Sequence, residues 1–447
     1  MISIAAKNSR NQACSSNFEA VRALRERIVE ECEAVLRGEE GTWILTQVVD
    51  GQSLDAKEAA LVKLRNILLS AIAQVVFNET GYEGSRRPCS CGNRAKYMKD
   101  EGKTYVTLVG EVRIGRATYR CMWCGNVTRP LDERLNLPSG QFSLAVQRLA
   151  SMLGASVPFA RASEVLDATT GVSMSARHLE EVTEWVGEQI GECLRQETEA
   201  AREANVSNPE SADVLVVAVD GGMIHTREEG WKETKVGAIQ ALQREDDRTL
   251  RRGPISYTAV LGSVGPFRDA LWSEVLRRGE RGREETVVLG DGAPWIWNLA
   301  DEILPGAVQI LDWYHLSEHV HETKRVLSQK KDWADRVLEN IWEQKIDTAI
   351  EAIEQTSTKN QAERDALDSL VRYINTNRRR MVYKTYKERG YPIGSGVVES
   401  GCKQIIQARH KQAGMRWNRD NAQKMLNLAV FIRSDRWQEF WRTQGAA

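Results

Sequence analysis

The sequence predicts a mixed α/β core that follows a helical N-terminal region and a small β unit. Three short apolar runs, Val214–Val219, Thr286–Gly290 and Val308–Leu311, have the length and β-branched content of buried strands. Further strands are expected at Thr234–Leu242 and Ile255–Leu261, and helical periodicity separates the later strands. Three strands followed by alternating helices and strands indicate a mixed sheet.

Residues 1–84 form the predicted N-terminal helical region, in which apolar residues recur at helical spacing from about Ala56 to Phe77. A segment containing Gly, Ser and Pro then ends this pattern. Residues 85–130 are expected to form the small β unit. In it, the β-branched and aromatic residues of Thr104–Leu108 and Glu111–Ile114 flank a glycine turn, and Ala117–Arg120 follows as a third strand.

Residues 138–208 are predicted to contain three helices and to form a helix-turn-helix DNA-binding domain. The second and third helices are joined by Thr169–Met174, a tight turn with a glycine that precedes a serine at an N-cap position. Many ordinary helix pairs have this pattern, so both interpretations stand. The remaining predicted segments are the first part of the core at 212–318, a helical insertion at 319–389 and a C-terminal helical part of the core at 390–447.

The composition is ordinary for a globular protein of two to four domains. Hydrophobic residues make up 42% of the 447 residues, charged residues make up 28%, and the net charge is −1. No apolar run approaches the roughly 20 residues that span a bilayer, and the N-terminus lacks the pattern of a secretory signal. We therefore expect a cytoplasmic protein without a membrane partner.

Positive charge is concentrated toward the C-terminus. Between Val371 and Arg419 there are 12 Lys or Arg residues and only two acidic ones, Glu388 and Glu399. Such clustering is typical of a surface that faces nucleic acid, although a solvated basic face explains it equally well. The basic residues expected to contact DNA are Arg378, Arg379, Arg380, Lys403, Arg409, Lys411 and Arg416.

Four of the eight cysteines form two close pairs on either side of the predicted hairpin, Cys89-x-Cys91 and Cys121-x-x-Cys124. A disulfide framework is not expected in a chain without a secretion signal. Two pairs that flank a hairpin predict a zinc-ribbon-like unit with four thiolate ligands for Zn²⁺. The single residue inside the first pair is shorter than the usual spacing, so a cytosolic redox pair remains an alternative.

Three carboxylates are the candidate catalytic residues. Asp220 and Asp291 each follow a predicted buried strand and precede a glycine, and ligands bind at this edge of α/β sheets. Glu399 is an isolated acid in the most basic part of the chain. Single residues of this kind also serve as turn starters or ion-pair partners. Together they predict a site for two Mg²⁺ or Mn²⁺ ions, with Asp220 bridging both, because phosphodiester transfer uses hard oxygen ligands.

The motifs around these residues carry a specific resemblance. They are Ala218–Gly222, Gly290–Trp297, Asp312–His315 and Gly394–Ser400. In this order they resemble DDE transposases of the Mutator-like superfamily, in particular the Kra-type group of bacterial insertion sequences. The resemblance covers residues 85 to 435. It implies an RNase H-like catalytic core with a helical insertion before the glutamate, and catalytic roles for Asp220, Asp291 and Glu399.

The resemblance implies a bacterial, nucleoid-associated transposase that binds the terminal repeats of its element, cleaves there and joins the ends to target DNA. Because two double-stranded ends must be joined, we expect a homodimer or larger assembly on DNA. Asp312 and His315 match the family's Asp-x-x-His pair and are candidates for substrate contact, and they also fit a capped helix start.

Trp295 and Trp297 follow Asp291 closely and are candidates for substrate contact. Two alternatives to a transposase remain: a zinc-containing DNA-binding regulator with a decayed nuclease core, and a plain RNase H-like nuclease without strand transfer.

Overall fold

The computed structural model describes residues 2–203, 213–246, 249–279, 285–327, 331–412 and 414–445, with side chains from residue 18 onward except at residue 331. The predicted boundaries at residues 208 and 212 lie outside these ranges. The chain forms two compact units. The first comprises Met1–Gly154, Pro158–Val182 and Trp441–Ala447, and the second comprises Ala155–Val157 and Thr183–Phe440.

The first unit begins with three helices, α1 (Ile2–Arg37), α2 (Glu39–Asp50) and α3 (Leu54–Val76), as the sequence predicts. Ser53 starts α3 because its hydroxyl oxygen accepts the Ala56 backbone N–H at 3.1 Å. By length and composition α3 is long and apolar enough to cross a membrane, with 17% of its apolar window buried. This corrects the expectation that no such run exists.

Side chains of α3 bond the backbone of the small β unit. Ser70 Oγ donates to the Glu111 carbonyl at 3.0 Å, and Gln74 exchanges bonds of 2.8 and 2.9 Å with the backbone of Arg113. These bonds pack α3 against folded protein, so its hydropathy is weak support for a membrane span.

The β unit is an antiparallel sheet of four strands in sequence order. They are β1 (Arg86–Pro88), β2 (Arg94–Thr107), β3 (Gly110–Cys121) and β4 (Val127–Thr128). The two predicted strands after the glycine turn are one continuous strand, and β2 starts earlier than predicted. Between the two predicted segments, Gly115 pairs with Gly102 in the β2–β3 register, so the ladder continues through both glycines. Within the four-stranded sheet, β2 and β3 therefore form a long two-stranded ribbon.

The helices that follow agree with the prediction, apart from a short additional one. They are α4 (Pro130–Arg134), α5 (Leu144–Ser156), α6 (Phe159–Thr170) and α7 (Ala176–Arg202). Gly171 ends α6 in the left-handed conformation with φ of 75°, which costs glycine little. Ser175 caps α7, since its Oγ accepts the His178 N–H at 3.2 Å. The turn between the two helices is therefore as predicted, and its role in DNA binding stays a prediction.

The second unit is built on a five-stranded mixed sheet, as predicted. Its strands are β5 (Val214–Thr226), β6 (Gly230–Arg244), β7 (Leu250–Leu261), β8 (Glu285–Gly290) and β9 (Val308–Leu311), in the spatial order β7-β6-β5-β8-β9. β5, β6 and β7 pair antiparallel, whereas β8 and β9 run parallel to β5. Helices α8 (Val264–Arg277) and α9 (Pro294–Ile303) precede the two parallel strands.

The first strand of this sheet is longer than its sequence suggests. We expected β5 to end at Asp220, but its antiparallel pairing with β6 continues to Thr226. Its parallel pairing with β8 stops earlier, at Ala218 opposite Leu289. Asp220 therefore lies where one side of β5 has lost its neighbour, which leaves room beside its carboxylate.

The chain after β9 is helical, and its last helix extends past the end of the second unit at Phe440. After β9 come α10 (Trp313–Val326), α11 (Lys331–Trp342), α12 (Ile346–Glu354), α13 (Gln361–Asn377), α14 (Tyr383–Glu388), α15 (Gly396–Cys402), a π-helical segment (Lys403–Gln407), α16 (Ala408–His410), α17 (Arg419–Arg433) and α18 (Trp437–Gly445). The segment predicted as a helical insertion, 319–389, is helical. The segment predicted as a C-terminal helical part of the core is also mainly helical, although Trp417 leaves the helical path and pairs with the end of β5 at Thr226.

Helix α17 covers the edge strand β7. Gln423 accepts the Leu261 N–H at 2.9 Å and donates to the Ala259 carbonyl at 3.1 Å. Just beyond the helix, Ser434 Oγ accepts the Tyr257 N–H at 2.9 Å. An open strand edge pairs readily with other chains, and these side chains occupy that edge instead.

The buried His410 makes the second unit sensitive to acid. Its ring lies 5.1 Å from the Trp417 ring, and burial lowers the pKa of His410 to about 4. A histidine with a lowered pKa in the folded state takes up its proton on unfolding, so folding stability is lost as pH falls from about 6.5 toward 4.

We expect this group to remove about 2 kcal/mol of the free energy of unfolding between pH 7 and pH 5. Urea unfolding of wild type and His410→Asn at both pH values measures the difference. The variant should lose less stability on acidification, whatever its stability at pH 7. An equal loss in both proteins would show that His410 does not control this response.

Candidate functional site

Asp220 is held half-buried on β5. Its Oδ1 accepts the Gly221 N–H at 2.7 Å, and the Cys402 thiol donates to its Oδ2 at 3.4 Å. Burial raises the pKa of Asp220 above its usual range, and the charge of Asp291 adds to this effect. Two of the three predicted carboxylates are therefore close enough to repel each other.

Asp291 follows the end of β8, as predicted. Gly292 turns the chain with φ of 103°, and Asp291 Oδ1 accepts the Ala293 N–H at 2.8 Å just before α9. Tyr373 on α13 donates its hydroxyl to the Asp291 carbonyl at 2.7 Å. A Cβ on Gly292 would lie 2.8 Å from the Tyr373 ring, so only glycine fits between the strand end and the helical insertion.

Glu399 lies in the first turn of α15 and shares a cleft with Asp220. The Ser395 hydroxyl donates to Glu399 Oε1 at 3.1 Å. A Cβ on Gly222 would lie 2.6 Å from Ile406, so glycine on β5 allows this close approach of the segment after α15. The cleft is lined by Asp220, Gly221, Gly222, Glu399, Cys402, Lys403, Ile406, Gln407 and Lys411.

None of the three carboxylates, Asp220, Asp291 and Glu399, is in an ion pair with a Lys or Arg side chain in the described part of the chain, although most other acids around the sheet are paired. Partly buried carboxylates that repel each other are unfavourable unless protonated or bound to a cation. Hard oxygen donors in this arrangement fit a divalent ion such as Mg²⁺ or Mn²⁺.

Asp312 is a buried structural anchor. Its side chain is fully shielded from solvent, and Oδ1 accepts the backbone N–H groups of Tyr314 at 2.6 Å and His315 at 2.9 Å, which caps α10. Oδ2 accepts the backbone N–H of Ser395. The interpretation of this motif as a capped helix start is thus correct. The same carboxylate also holds the segment from which α15 and Glu399 begin.

His315 lies beside the predicted site. Its Nδ1 is 3.9 Å from Asp312 Oδ1, and donor atoms of Asp312, His315 and Glu399 all lie within 4.8 Å of one another. Backbone amides already occupy both oxygens of Asp312. Within this group, Glu399 and His315 therefore have the more available donor atoms.

Cys402 and Tyr373 contact the site but were not among the predicted residues. Cys402 was expected to be only a small buried side chain. It follows Glu399 by three positions on one helix, and this spacing places two side chains on the same face. That signal was therefore present in the sequence. The contact of Tyr373 arises from long-range packing of the insertion, which local spacing does not reveal.

Like Asp312, three other residues predicted to contact substrate lie in the interior instead. Trp297, Arg380 and Arg409 are 4%, 5% and 2% exposed. The Arg380 guanidinium stacks 4.4 Å from the Trp297 ring centroid and also bonds Gln309 Oε1 at 2.8 Å. The Arg409 guanidinium lies 4.7 Å from the Trp417 ring centroid. Both arginines therefore contribute to packing, because stacking on an aromatic ring offsets the loss of solvent.

The other predicted contact residues are at least partly accessible. Lys403 and Lys411 are exposed and line the cleft, and Arg416 is exposed in the segment that follows. Arg378 pairs with Asp347, and Arg379 lies 4.0 Å from Asp301. Trp295 is half-buried, with Lys235 Nζ 5.2 Å from its ring centroid.

The four paired cysteines form a second candidate site, in the β unit. Their sulfur atoms all lie within 4.8 Å of one another, with Cys89 and Cys124 at 3.6 Å and Cys91 and Cys121 at 3.7 Å. These separations exceed a disulfide bond and match the roughly 3.8 Å between sulfurs around a tetrahedral zinc ion. The Asn93 backbone N–H lowers the pKa of Cys91 to about 6, which favours a thiolate. The cluster can hold a metal ion such as zinc.

Comparison with known proteins identifies the family. A family model described as "Uncharacterised protein family (UPF0236)" matches residues 92–440. The chain belongs to the UPF0236 family. A relative from Streptococcus gallolyticus, named "UPF0236 protein in vanSb 3'region", is 24% identical over 360 residues, which cover 76% of this chain and 75% of the relative.

The region matched by UPF0236 contains the whole carboxylate site. It spans Asp220, Asp291, Glu399 and the anchor Asp312, and it begins one residue after Cys91. The second cysteine pair is inside the match and the first pair lies just outside it. The sheet and the cleft are therefore both within the part of the chain that defines membership of UPF0236.

The anchoring role of Asp312 predicts a large loss of stability on truncation. Asp312→Ala leaves three buried backbone N–H groups without an acceptor, and we expect a loss of about 3 kcal/mol in the free energy of unfolding. Urea unfolding measures this loss. Asp335→Ala, at an exposed acid on α11, is the control and should change stability by less than about 0.5 kcal/mol. Equal effects of the two substitutions would contradict the anchoring role.

Proposed function

We propose that the chain is a metal-dependent DNA transposase of the DDE type, with Asp220, Asp291 and Glu399 as its catalytic carboxylates. The observation that carries this proposal is that Asp220 and Glu399 line one cleft and that the charge of Asp291 acts on Asp220. The three carboxylates come from β5, the end of β8 and α15, widely separated in sequence, and none forms an ion pair with Lys or Arg in the described structure. A site built for stability alone would pair such acids.

The topology of the sheet supports an RNase H-like core. Three antiparallel strands followed by two parallel ones, in the order β7-β6-β5-β8-β9, are the arrangement that this proposal requires. A helical insertion, α11–α13, lies between Asp291 and Glu399. The motifs that resemble Mutator-like and Kra-type transposases are those that carry the carboxylates and the anchor. The resemblance and the geometry therefore favour the same residues.

Asp220, Asp291 and Glu399 would hold two divalent ions, Mg²⁺ or Mn²⁺. When bound, such ions activate an attacking oxygen and stabilise a leaving oxygen in phosphodiester cleavage and strand transfer. The protein's part is to keep the three carboxylates deprotonated and in position. Asp312 and Ser395 position Glu399, and the Cys402 thiol orients Asp220.

Two lysines line the cleft, where they would contact a DNA backbone. Lys403 and Lys411 are exposed beside Asp220 and Glu399, and ammonium groups there would neutralise phosphates on either side of the cleaved bond. His315 lies near Glu399 and is suited to donate a hydrogen bond to a phosphate oxygen. Contacts of this kind hold DNA without reading its sequence.

Recognition of the transposon ends requires further elements. We assign it to the α6–α7 pair, whose Gly171 turn and Ser175 cap are compatible with a helix-turn-helix. The partners would be the double-stranded terminal repeats and the target DNA, in the bacterial cytoplasm. Because two ends must be joined, a dimer or larger assembly on DNA follows from the reaction.

Excision in cells tests the proposal. A donor plasmid carrying the DNA that natively flanks the gene should lose the element with wild type. Asp220→Asn and Glu399→Gln should reduce excision at least about 100-fold, because each removes a metal-binding charge. Asp335→Asn and Glu388→Gln make the same chemical changes at exposed positions and should excise normally.

The alternatives give different results in this assay. Excision by wild type and by Asp220→Asn alike would exclude the carboxylate site. Cleavage of the flanking DNA without joining would indicate a plain nuclease. Binding of the flanks without cleavage by any variant would indicate a DNA-binding regulator.

We further propose that the cysteine cluster binds one structural Zn²⁺. The two sulfur separations support it, as does the exposed position of a hairpin that has a small core of its own. A metal at its end would stabilise the strand pairing there, because small β units commonly depend on such a link.

Zinc content measures this directly. Wild type should purify with about one zinc per chain, and Cys121→Ser should lose it because one of four thiolates is removed. Cys193→Ser, at a cysteine outside the cluster, should keep it. Retention of zinc by Cys121→Ser would mean that the metal is bound elsewhere. If the wild-type protein contained no zinc, the cysteines would instead be interpreted as a redox pair.

A further inference from the structure

The β unit carries a concentration of positive charge that neither the cysteine cluster nor the carboxylate site explains. Residues 85–130 contain ten Lys or Arg and three Asp or Glu, a net charge of +7, whereas the whole chain has a net charge of −1. Several of these cations have partners. Arg87, Arg116 and Arg129, for example, are paired with Glu83, Asp132 and Glu101.

Three other cations form a row across the sheet. Arg86 on β1 is directly opposite Lys96 on β2, and Lys96 is directly opposite Arg120 on β3. Direct cross-strand partners share a face, and all three side chains are exposed. In the described part of the chain, no carboxylate forms an ion pair with any of them. Like charges placed directly opposite each other destabilise a sheet, so this basic row is unfavourable without a ligand.

The basic row leads to an exposed apolar tip. The loop between the second pair of cysteines consists of Met122 and Trp123, which are 75% and 83% exposed. This Trp123 ring is the most exposed tryptophan among the described residues, although each flanking cysteine is fixed in the cluster. Arg94 lies two residues before Lys96 on β2, on the same face and nearer the tip. A solvent-facing indole can stack on a base, and the cations beside it can contact phosphates. Proteins that bind single-stranded nucleic acid combine these two features.

We propose that this face of the β unit binds a single-stranded segment of DNA. The basic row of Arg86, Lys96 and Arg120 would contact consecutive phosphates, and Trp123 would stack on an unpaired base. Cations alone would accept duplex DNA equally well, but the bases of a duplex are already stacked on their neighbours. The exposed indole therefore favours a single strand. This inference extends the proposed function, because strands freed by cleavage at transposon ends are ligands of this kind.

Binding of fluorescein-labelled oligonucleotides to the full-length, zinc-containing chain tests the proposal. Trp123→Ala should weaken binding of a 20-nucleotide single strand about tenfold and binding of the matching duplex less than about twofold. Trp43→Ala, at a half-exposed tryptophan on α2, is the matched control and should bind as wild type does. The triple variant Arg86→Gln, Lys96→Gln, Arg120→Gln should lower the slope of log K against log salt by about 2 for the single strand.

Zinc content separates loss of binding from loss of folding. All of these variants should keep the zinc of the wild type, since none changes a cysteine. Unchanged single-strand affinity in both Trp123→Ala and the triple variant would overturn the proposal, as would an equal loss on single strand and duplex for Trp123→Ala. Loss of self-association with unchanged DNA affinity would identify the face as a contact with a second copy and would also overturn it.

The same experiments test the catalytic proposal independently of the single-strand proposal. Asp220→Asn should bind the single strand as wild type does, because the carboxylate site is not part of this face. Normal excision with unchanged binding by the β-unit variants would reject this inference alone. Weakened binding by those variants together with no excision by wild type would reject the transposase alone.

Discussion

The buried carboxylate of Asp312 joins two parts of the chain that are far apart in sequence. It caps α10 directly after β9, and it also accepts the backbone N–H of Ser395, which precedes α15. Charge-assisted bonds to backbone amides are strong, and here they are shielded from water. Glu399 reaches the sheet because this connection fixes the start of its helix. An acid that does not face the cleft thereby determines where a cleft residue lies.

The candidate site stores unfavourable electrostatic energy. Asp220 is half-buried, its pKa is raised by burial and by the charge of Asp291, and it shares a cleft with Glu399 without an ion pair to Lys or Arg among the described residues. Elsewhere in the same unit acids are paired, as where Arg436 bonds Glu197 and lies near Glu274. The contrast between neutralised and unneutralised acids in one unit is the physical reason to regard the cleft as a cation site.

The β unit has the opposite polarity. Its cations outnumber its acids, its four thiols converge at one end, and its exposed indole lies between two of them. The cleft therefore carries carboxylates suited to metal ions, and the β unit carries positive charge suited to phosphates. A nearly neutral total charge conceals this division, which becomes visible only when the charges are assigned to separate folded units.

The sequence alone determined most secondary structure, the mixed sheet, the two cysteine pairs and the positions of Asp291 and Asp312 at strand ends. Those properties follow from local periodicity and from apolar runs that only buried strands tolerate. It did not reveal that β5 continues past Asp220, because the antiparallel partner β6 extends a strand that its glycines suggested would end. Nor did it show that Trp297, Arg380 and Arg409 are buried, since cation–π stacking hides charges that composition assigns to the surface.

Tertiary structure alone decided which side chains meet: the Cys402 thiol with Asp220, Tyr373 with the Asp291 backbone, and the three cations of the β unit across neighbouring strands. Such contacts depend on strand register and on packing between distant segments, and no local pattern encodes either.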